Sequence, residues 1–191
     1  MKLLLVRHGE SEHNSGKTMS RNSLLTKKGR IQAEHLGKRL KKEKIKIDKI
    51  YTGGLERSKH TADIISKIIK VPVKKDFTEL NEYHEGFLKI PLIKYFNLRI
   101  RRLKKLLKEI TKDREKDKTI LIVAHGITNR IIIDHLLKIP IGRHLLRFIH
   151  YNTGLSILSW SKRHKSWRLE SMNDVSHLPK KLNKEVKNAL K

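Results

Sequence analysis

The sequence predicts an α/β fold: a three-layer, open, mostly parallel sheet with helices on both faces. Two observations point to it. First, two stretches share one shape. Leu3-Leu4-Leu5-Val6 runs into Arg7-His8-Gly9, and Ile120-Leu121-Ile122-Val123 runs into Ala124-His125-Gly126. Unbroken runs of branched apolar residues suit strands buried on both faces. Second, strand-like runs alternate with segments of helical period, the signature of a parallel sheet with crossover helices. Ligands of such sheets bind beyond the carboxyl ends of the strands. If the two runs are neighbouring strands, they deliver two imidazoles to one pocket, with Arg7 beside the first. Gly9, just after His8, is expected to let the backbone turn sharply.

The first strand is expected over about Lys2–Val6, followed by a polar loop from Glu10 to Ser23. Thr26 can cap a helix whose apolar positions Ala33, Leu36 and Leu40 share a face. A short strand near Ile47–Tyr51 meets Thr52-Gly53-Gly54. A helix over about Leu55–Ile69 would bury Ala62, Ile65, Ile68 and Ile69. Val71-Pro72-Val73 reads as a short strand, with the proline near its start or at a sheet edge. The stretch from Glu79 to Lys89 is polar and irregular. Ile93, Phe96, Ile100, Leu103, Leu107 and Ile110 recur at helical spacing and predict a helix over Ile93–Lys112 covering one sheet face. After the second His-Gly strand, a helix should run to about Leu137 and stop before Pro140. Leu155–Trp160 and Ser166–Met172 read as a hairpin turning at Lys162–Lys165. Residues 1–173 make one domain. Residues 174–191 form a basic tail, with Leu182, Val186 and Leu190 at helical spacing, expected as a loose helix or as disordered chain.

The chain has 191 residues, enough for one domain with a real core. Charged residues make up 34 % of it, against roughly 25 % in an average domain. The surplus is basic, 45 Lys+Arg against 19 Asp+Glu, a net +26. That predicts attraction to anions: phosphorylated metabolites, nucleic acid or other polyanions. The charge is scattered, without the block of like charges that marks a nucleic-acid-binding tail. The chain has no cysteine, which excludes disulfides and thiolate chemistry and agrees with a reducing compartment. Met1-Lys2 and the apolar run after it are interrupted by Arg7-His8 too early for a secretory signal. No apolar stretch approaches the roughly 20 residues that span a bilayer. A soluble cytoplasmic protein with no membrane partner is expected. The eleven histidines make no zinc-helix pattern, and there is no glycine-rich P-loop. His60 and His135, on expected helices, read as surface or packing residues. Neither a metal nor another cofactor is implied, and the oligomeric state is not legible.

Further elements follow in order. Arg7-His8-Gly9-Glu10-Ser11 is followed by Asn14, by Leu25-Thr26, and by Gly29 with Gln32-Ala33 and Leu36-Gly37. Tyr51-Thr52-Gly53-Gly54-Leu55-Glu56-Arg57 leads into Thr61-Ala62. Leu80-Asn81-Glu82 precedes Gly86, and Ala124-His125-Gly126 and Asn152-Thr153 complete the series. This order resembles the histidine phosphatase superfamily, in its phosphoglycerate-mutase-like branch, from about Lys2 to Trp160.

The resemblance implies a catalytic set of His8, Glu82, His125, Arg7 and Arg57. His8 would attack phosphorus and form a phosphohistidine that water hydrolyses. Neutral imidazole suits the task, because its unperturbed pKa lies near 6.5. Arg7 and Arg57 would bind the phosphoryl oxygens with paired, permanently charged donors. Arg57 stands at an expected helix start, which favours anions. His125 would donate to the same oxygens. Glu82 sits where the family places its proton donor; Glu79 and Glu85 are the alternatives nearby. Asn14, Asn152 and Thr153 would join Arg7, Arg57 and His125 in binding substrate. Three positions depart from the family pattern. Gly54 stands where proline is usual, which is expected to loosen the loop before Arg57. Asn22 replaces a frequent aspartate, and His13 stands at the position before Asn14 where an aromatic is missing. The implied function is a metal-independent phosphatase acting on a small phosphate monoester. A phosphoglycerate-type mutase is the alternative within the family. A nucleic-acid or polyanion binding protein on the same fold is the alternative from another class, and weak association of that kind through surface charge is compatible with an enzyme.

Overall fold

The structure is a computed structural model that describes residues 1–82, 90–140 and 149–188, and over residues 90–96 the course of the backbone only. Glu85, Gly86 and Leu190 lie outside the described residues. Six strands form one mixed sheet: β1 (Lys2–Arg7), β2 (Lys49–Gly53), β3 (Val73–Phe77), β4 (Thr119–Ala124), β5 (Leu155–Ser161) and β6 (Ser166–Asp174). Their order across the sheet is β3-β2-β4-β1-β5-β6. The pairs β1–β4, β2–β4 and β2–β3 are parallel, whereas β5 runs antiparallel to both β1 and β6. The helices are α1 (Lys27–Lys42), α2 (Glu56–Ile69), α3 (Ile90–Ile110), α4 (Gly126–Leu136) and α5 (Lys180–Asn188).

Alternation along the strands builds the three layers. On one face Leu3, Leu5, Ile120 and Ile122 pack with Leu103 and Leu107 of α3 and Ile131 and Ile132 of α4. On the other, Leu4, Val6, Leu121 and Val123 pack with Leu36 and Leu40 of α1 and Ala62 and Ile65 of α2. The two central strands are therefore apolar through Leu3–Val6 and Ile120–Ala124, where each face is covered.

Several element bounds differ from the sequence reading, each for a local reason. β3 begins at Val73 rather than Val71, after Pro72, which has no N–H for the ladder. β2 begins two residues late, at Lys49, because Asp48 is occupied in accepting the Thr119 N–H at 2.8 Å. α3 begins at Ile90, before Ile93; Pro91 in its first turn removes no helical hydrogen bond. Thr26 caps α1 as expected, its Oγ1 accepting from Gly29 N at 3.0 Å. Beyond Asp174, Val175, Leu178 and Val186 bury together. Asp174 also pairs with Arg39, and Glu185 with Lys28, so α5 is tied to α1. No helix among the described residues is long and apolar enough to cross a membrane.

Candidate active site

β1 and β4 are in register, with Arg7 opposite Ala124. The next residue on each strand is a histidine, so the sheet itself brings His8 and His125 together. Their rings lie 5.0 Å apart at 61°. Both are buried, His8 2 % and His125 0 % exposed. His8 N donates to Ala124 O at 2.9 Å, extending the ladder one step past β1.

Gly9 serves a purpose other than the expected sharp turn. Its φ is not in the left-handed region, and a Cβ there would collide with the backbone of Gly29. The two glycines let the loop after β1 press against the start of α1. Glu10 O accepts from Thr26 N at 3.0 Å and Glu10 N donates to Gln32 Oε1 at 2.8 Å, so α1 holds this loop. Gly9 N donates to Thr61 Oγ1 of α2 at 3.0 Å, and Thr61 in turn donates to Arg57 O at 2.7 Å. The His8 loop and the Arg57 helix are thus one connected unit.

The His8 ring is held at both nitrogens. Nδ1 donates to Gly9 O at 2.7 Å, and Arg57 Nε donates to Nε2 at 3.0 Å. Such bonding fixes the tautomer with the proton on Nδ1 and the lone pair on Nε2. Burial, with the charges of His125, Arg57 and Arg7, holds the His8 pKa well below its usual value. Both contacts suit the ring in its neutral form, with the Nε2 lone pair accepting from the guanidinium. Arg57 is buried in the first turn of α2, and its Nη1 also donates to Arg21 O. Asn22 Oδ1 accepts from Glu56 N at 2.9 Å. That amide caps a helix whose own N-cap residue, Leu55, has no side-chain acceptor. Asparagine does this as well as aspartate does.

Arg7 donates through Nη1 to His150 O. Its side chain passes Gly126, where a Cβ would meet Arg7 Cδ at 3.7 Å, an ordinary contact. Burial lowers the pKa of Arg7 and of Arg57 from the ordinary guanidinium value, partly opposed in each by the Glu82 charge. Glu82 reaches the site from the turn after β3. Its Oε1 accepts from Ile127 N at the start of α4 at 3.2 Å, and its Oε2 lies 3.7 Å from His125 Nδ1. Burial raises its pKa, outweighing the guanidinium charges of Arg7 and Arg57.

Gly54, expected to loosen the turn, tightens it. Its N–H donates to Asn81 Oδ1 at 2.6 Å, a bond that proline cannot make. Asn81 O accepts from Thr128 Oγ1 at 2.8 Å. Asn81, the residue before Glu82, is therefore clamped between the loop that leads into α2 and α4. Glu79, one alternative acid, lies in the short 3-10 turn Thr78–Leu80 and is bonded to Thr78 rather than to either histidine.

The expected binding residues at the rim divide. Asn14 Oδ1 accepts from Ser11 Oγ at 2.8 Å, and its Nδ2 donates to Asn152 Oδ1 at 3.1 Å. An amide nitrogen has two hydrogens, so one N–H of Asn14 remains for a ligand. Asn152 Nδ2 donates to His8 O at 3.0 Å, which makes it a brace for the His8 backbone. Thr153 is fully buried; its hydroxyl donates to Asn152 O at 2.7 Å and its N–H to Arg7 O at 2.9 Å. Both groups are thus engaged in holding the end of β1 and the residue beside it. Two residues were not singled out from sequence. Arg130 stands one helical turn after Gly126, and its charge acts on Arg7, Glu82 and His150. His150 is buried beside Arg7, with its pKa lowered to about 3 by burial and by Arg130 and Arg7. The turn spacing on α4 was the available signal for Arg130; His150 had none beyond its nearness to Asn152.

The donor atoms of His8, Glu82 and His125 all lie within 4.8 Å of one another. Two imidazoles and a carboxylate are metal-ligand types. Here they stand beside two buried guanidinium groups, and one of the four imidazole nitrogens already accepts from Arg57. That setting repels a cation and attracts an anion with several oxygens.

The sequence model of the histidine phosphatase superfamily (branch 1) matches residues 3–89 and 96–175. The chain belongs to the histidine phosphatase superfamily. Among solved structures, this superfamily member is similar to YhfR of Bacillus stearothermophilus, at 26 % identity with a TM-score of 0.74, covering 92 % of this chain and 98 % of that one. It shares the fold of a phosphoserine phosphatase from Entamoeba histolytica, at 24 % identity and TM-score 0.73, covering 93 % and 99 % of the two chains. Among curated relatives, it is 38 % identical over 92 residues to a 2,3-bisphosphoglycerate-dependent phosphoglycerate mutase of Hamiltonella defensa. That match covers 46 % of this chain and 36 % of the relative, so the chain aligns with little more than a third of the mutase.

Proposed function

We propose that this chain is a metal-independent phosphatase that hydrolyses small phosphate monoesters through a phosphohistidine on His8. One observation carries the reading: His8 is fixed with its lone pair on Nε2, aimed at Arg57 from 3.0 Å, in a buried cationic pocket. A phosphoryl group entering there takes over the Arg57 donor. His8 Nε2 attacks phosphorus in line, the ester P–O bond breaks, and the Glu82 carboxyl gives its proton to the leaving alkoxide. Glu82, now a carboxylate, takes a proton from water as that water attacks the phosphohistidine. Inorganic phosphate leaves, and His8 and protonated Glu82 are restored. Arg7, Arg57 and His125 hold charge on the phosphoryl oxygens throughout, which is most of what catalysis of phosphoryl transfer requires.

The similarity to mutases supports a second reading, a phosphoglycerate-type phosphomutase. A mutase must retain a bisphosphorylated intermediate and needs cover over its pocket. Only residues 83–89 separate Glu82 from α3, which favours release to water. Incubation with monophosphoglycerate separates the two: isomerisation without free phosphate means mutase, and phosphate release means phosphatase. A phosphate-release screen over phosphorylated metabolites, run beside His8→Ala, then identifies the substrate class. Activity that survives in His8→Ala refutes the phosphohistidine route.

A further inference from the structure

A groove of about 690 Å³ lies at the other end of the sheet from the histidines. Trp160 sits at its wall, and Trp160 N donates to Met1 O at 2.9 Å, at the amino end of β1. His8 follows the carboxyl end of that six-residue strand, about 20 Å away at the usual rise. The groove collects cations from four separate segments. Lys104, Lys105 and Lys108 come from α3, Arg114 from the loop after it, Lys138 from the end of α4, and Lys165 from the β5–β6 turn. No carboxylate is among the described residues that line it. Glu115 stands at its rim, already accepting from Trp160 Nε1 at 3.1 Å and Lys165 Nζ at 3.3 Å.

Between these cations stand two indoles. Trp160 and Trp167 are cross-strand partners in β5–β6, with ring centroids 5.8 Å apart at 65°. Arg114 covers the Trp160 ring at 4.8 Å. Trp167 packs one side against the core and is half-buried, and the surface it keeps lines the groove. We infer that this groove binds single-stranded nucleic acid, with phosphates along the lysines of α3 and a base stacked on Trp167. A charged track with an aromatic platform is how proteins hold single strands without reading sequence. An acidic peptide would use the lysines and leave the indole face idle. The net charge of +26 thereby gains a place where part of it acts.

The test uses the full chain and a fluorescein-labelled oligouridylate of about 15 nucleotides, in the range of known single-strand sites. Anisotropy should report binding that weakens with salt, and Trp fluorescence should be quenched. The triple variant Lys104→Glu, Lys105→Glu, Lys108→Glu should bind at least about tenfold more weakly. Its log–log salt slope should fall by about 2, the value for three lost phosphate contacts on a single strand. Trp167→Ala should weaken binding about fivefold or more with the slope unchanged, and Trp167→Phe should restore most of it. All variants should hydrolyse a small phosphate monoester like the parent, which keeps this test independent of the proposed catalytic function. The inference is overturned if the variants bind the oligonucleotide like the parent, or if inorganic phosphate at active-site concentrations displaces it. It is also overturned if anionic vesicles or duplex bind as well and Trp167→Ala changes nothing.

Discussion

His8 and His125 occupy matching places. Each ends a buried parallel strand, each precedes a glycine, and the register sets them side by side. Their surroundings differ. The chain after His8 turns into a loop pressed on α1, and the Gly9 carbonyl takes the Nδ1 proton. His125 instead leads directly into α4, with extended backbone at φ −124° and ψ 166°, and its Nδ1 faces the Glu82 carboxyl at 3.7 Å. One imidazole has a fixed tautomer and a lone pair directed at a cation. The other stands beside an acid. On the proposed reading, the shared His-Gly motif serves a nucleophile in one case and a donor in the other, and the neighbours make the difference.

Removing the first ring should have the largest effect. His8→Ala should lower turnover by about 10⁴-fold or more and abolish acid-labile phosphate labelling. Glu82→Gln should follow, costing about 10²–10⁴-fold on alkyl phosphates. The same variant should lose much less on aryl phosphates, whose leaving groups hardly need a proton. Equal losses on both substrates would remove Glu82 from the acid's role. His125→Ala should cost about 10²–10³-fold, the scale for one transition-state donor, and should still become labelled on His8. Labelling that survives in His8→Ala and disappears in His125→Ala would reverse the two assignments.

Much of this pair was legible in the sequence, because strand burial and motif order are both local patterns. Arg7, His8 and His125 stand at strand ends that the apolar runs mark, and Arg57 was singled out by the motif order that resembles the family. The turn that carries Glu82 was found by its position in the motif order. The bracing bonds of Thr153 were not legible, because they depend on a left-handed backbone, at φ 56°, that no local sequence pattern announces. Gly54 was misread because its value lies in an N–H whose acceptor, Asn81, is distant in sequence. The lysine groove was invisible for a related reason. The basic helix α3 was visible, but the groove's other cations and its indoles come from three further segments that only the fold brings beside it.

The pH profile tests the same division with smaller effects. In the proposed mechanism the reactive form needs neutral His8 and protonated Glu82 together. A His8 pKa well below 6.5 keeps the ring neutral into acid, so the acid limb of kcat/KM should lie below the ordinary imidazole range. A raised Glu82 pKa keeps its proton above the ordinary carboxylate range, so loss of that proton should set the basic limb. With alkyl phosphates kcat/KM should therefore be maximal on the acid side of neutrality and fall several-fold towards alkaline pH. Glu82→Gln should flatten the basic limb, and aryl phosphates should show little of it with the unaltered protein. A basic limb that persists unchanged in Glu82→Gln belongs to another group.

The smallest effect expected is that of a chelator. The His8, Glu82 and His125 donors are close enough to hold a metal ion, so the question is a real one. Two terms oppose it. Arg57 Nε already donates to the His8 Nε2 lone pair that a metal would need. Arg7 and Arg57 also place two positive charges at the same pocket. At about 4 Å, each would oppose a monovalent cation by roughly 1–4 kcal/mol at effective dielectric constants of 80 to 20, and a divalent one by twice that. A phosphate ester reverses both signs, since its oxygens accept from the guanidinium groups and its phosphorus takes the lone pair. Prolonged dialysis against EDTA should thus leave kcat/KM within about twofold, whereas vanadate, an anion of the right shape, should inhibit. Activity lost to EDTA and restored by one divalent metal would show that the trio is a metal site. His8 would then be a ligand, and its likeness to His125 would outweigh their difference.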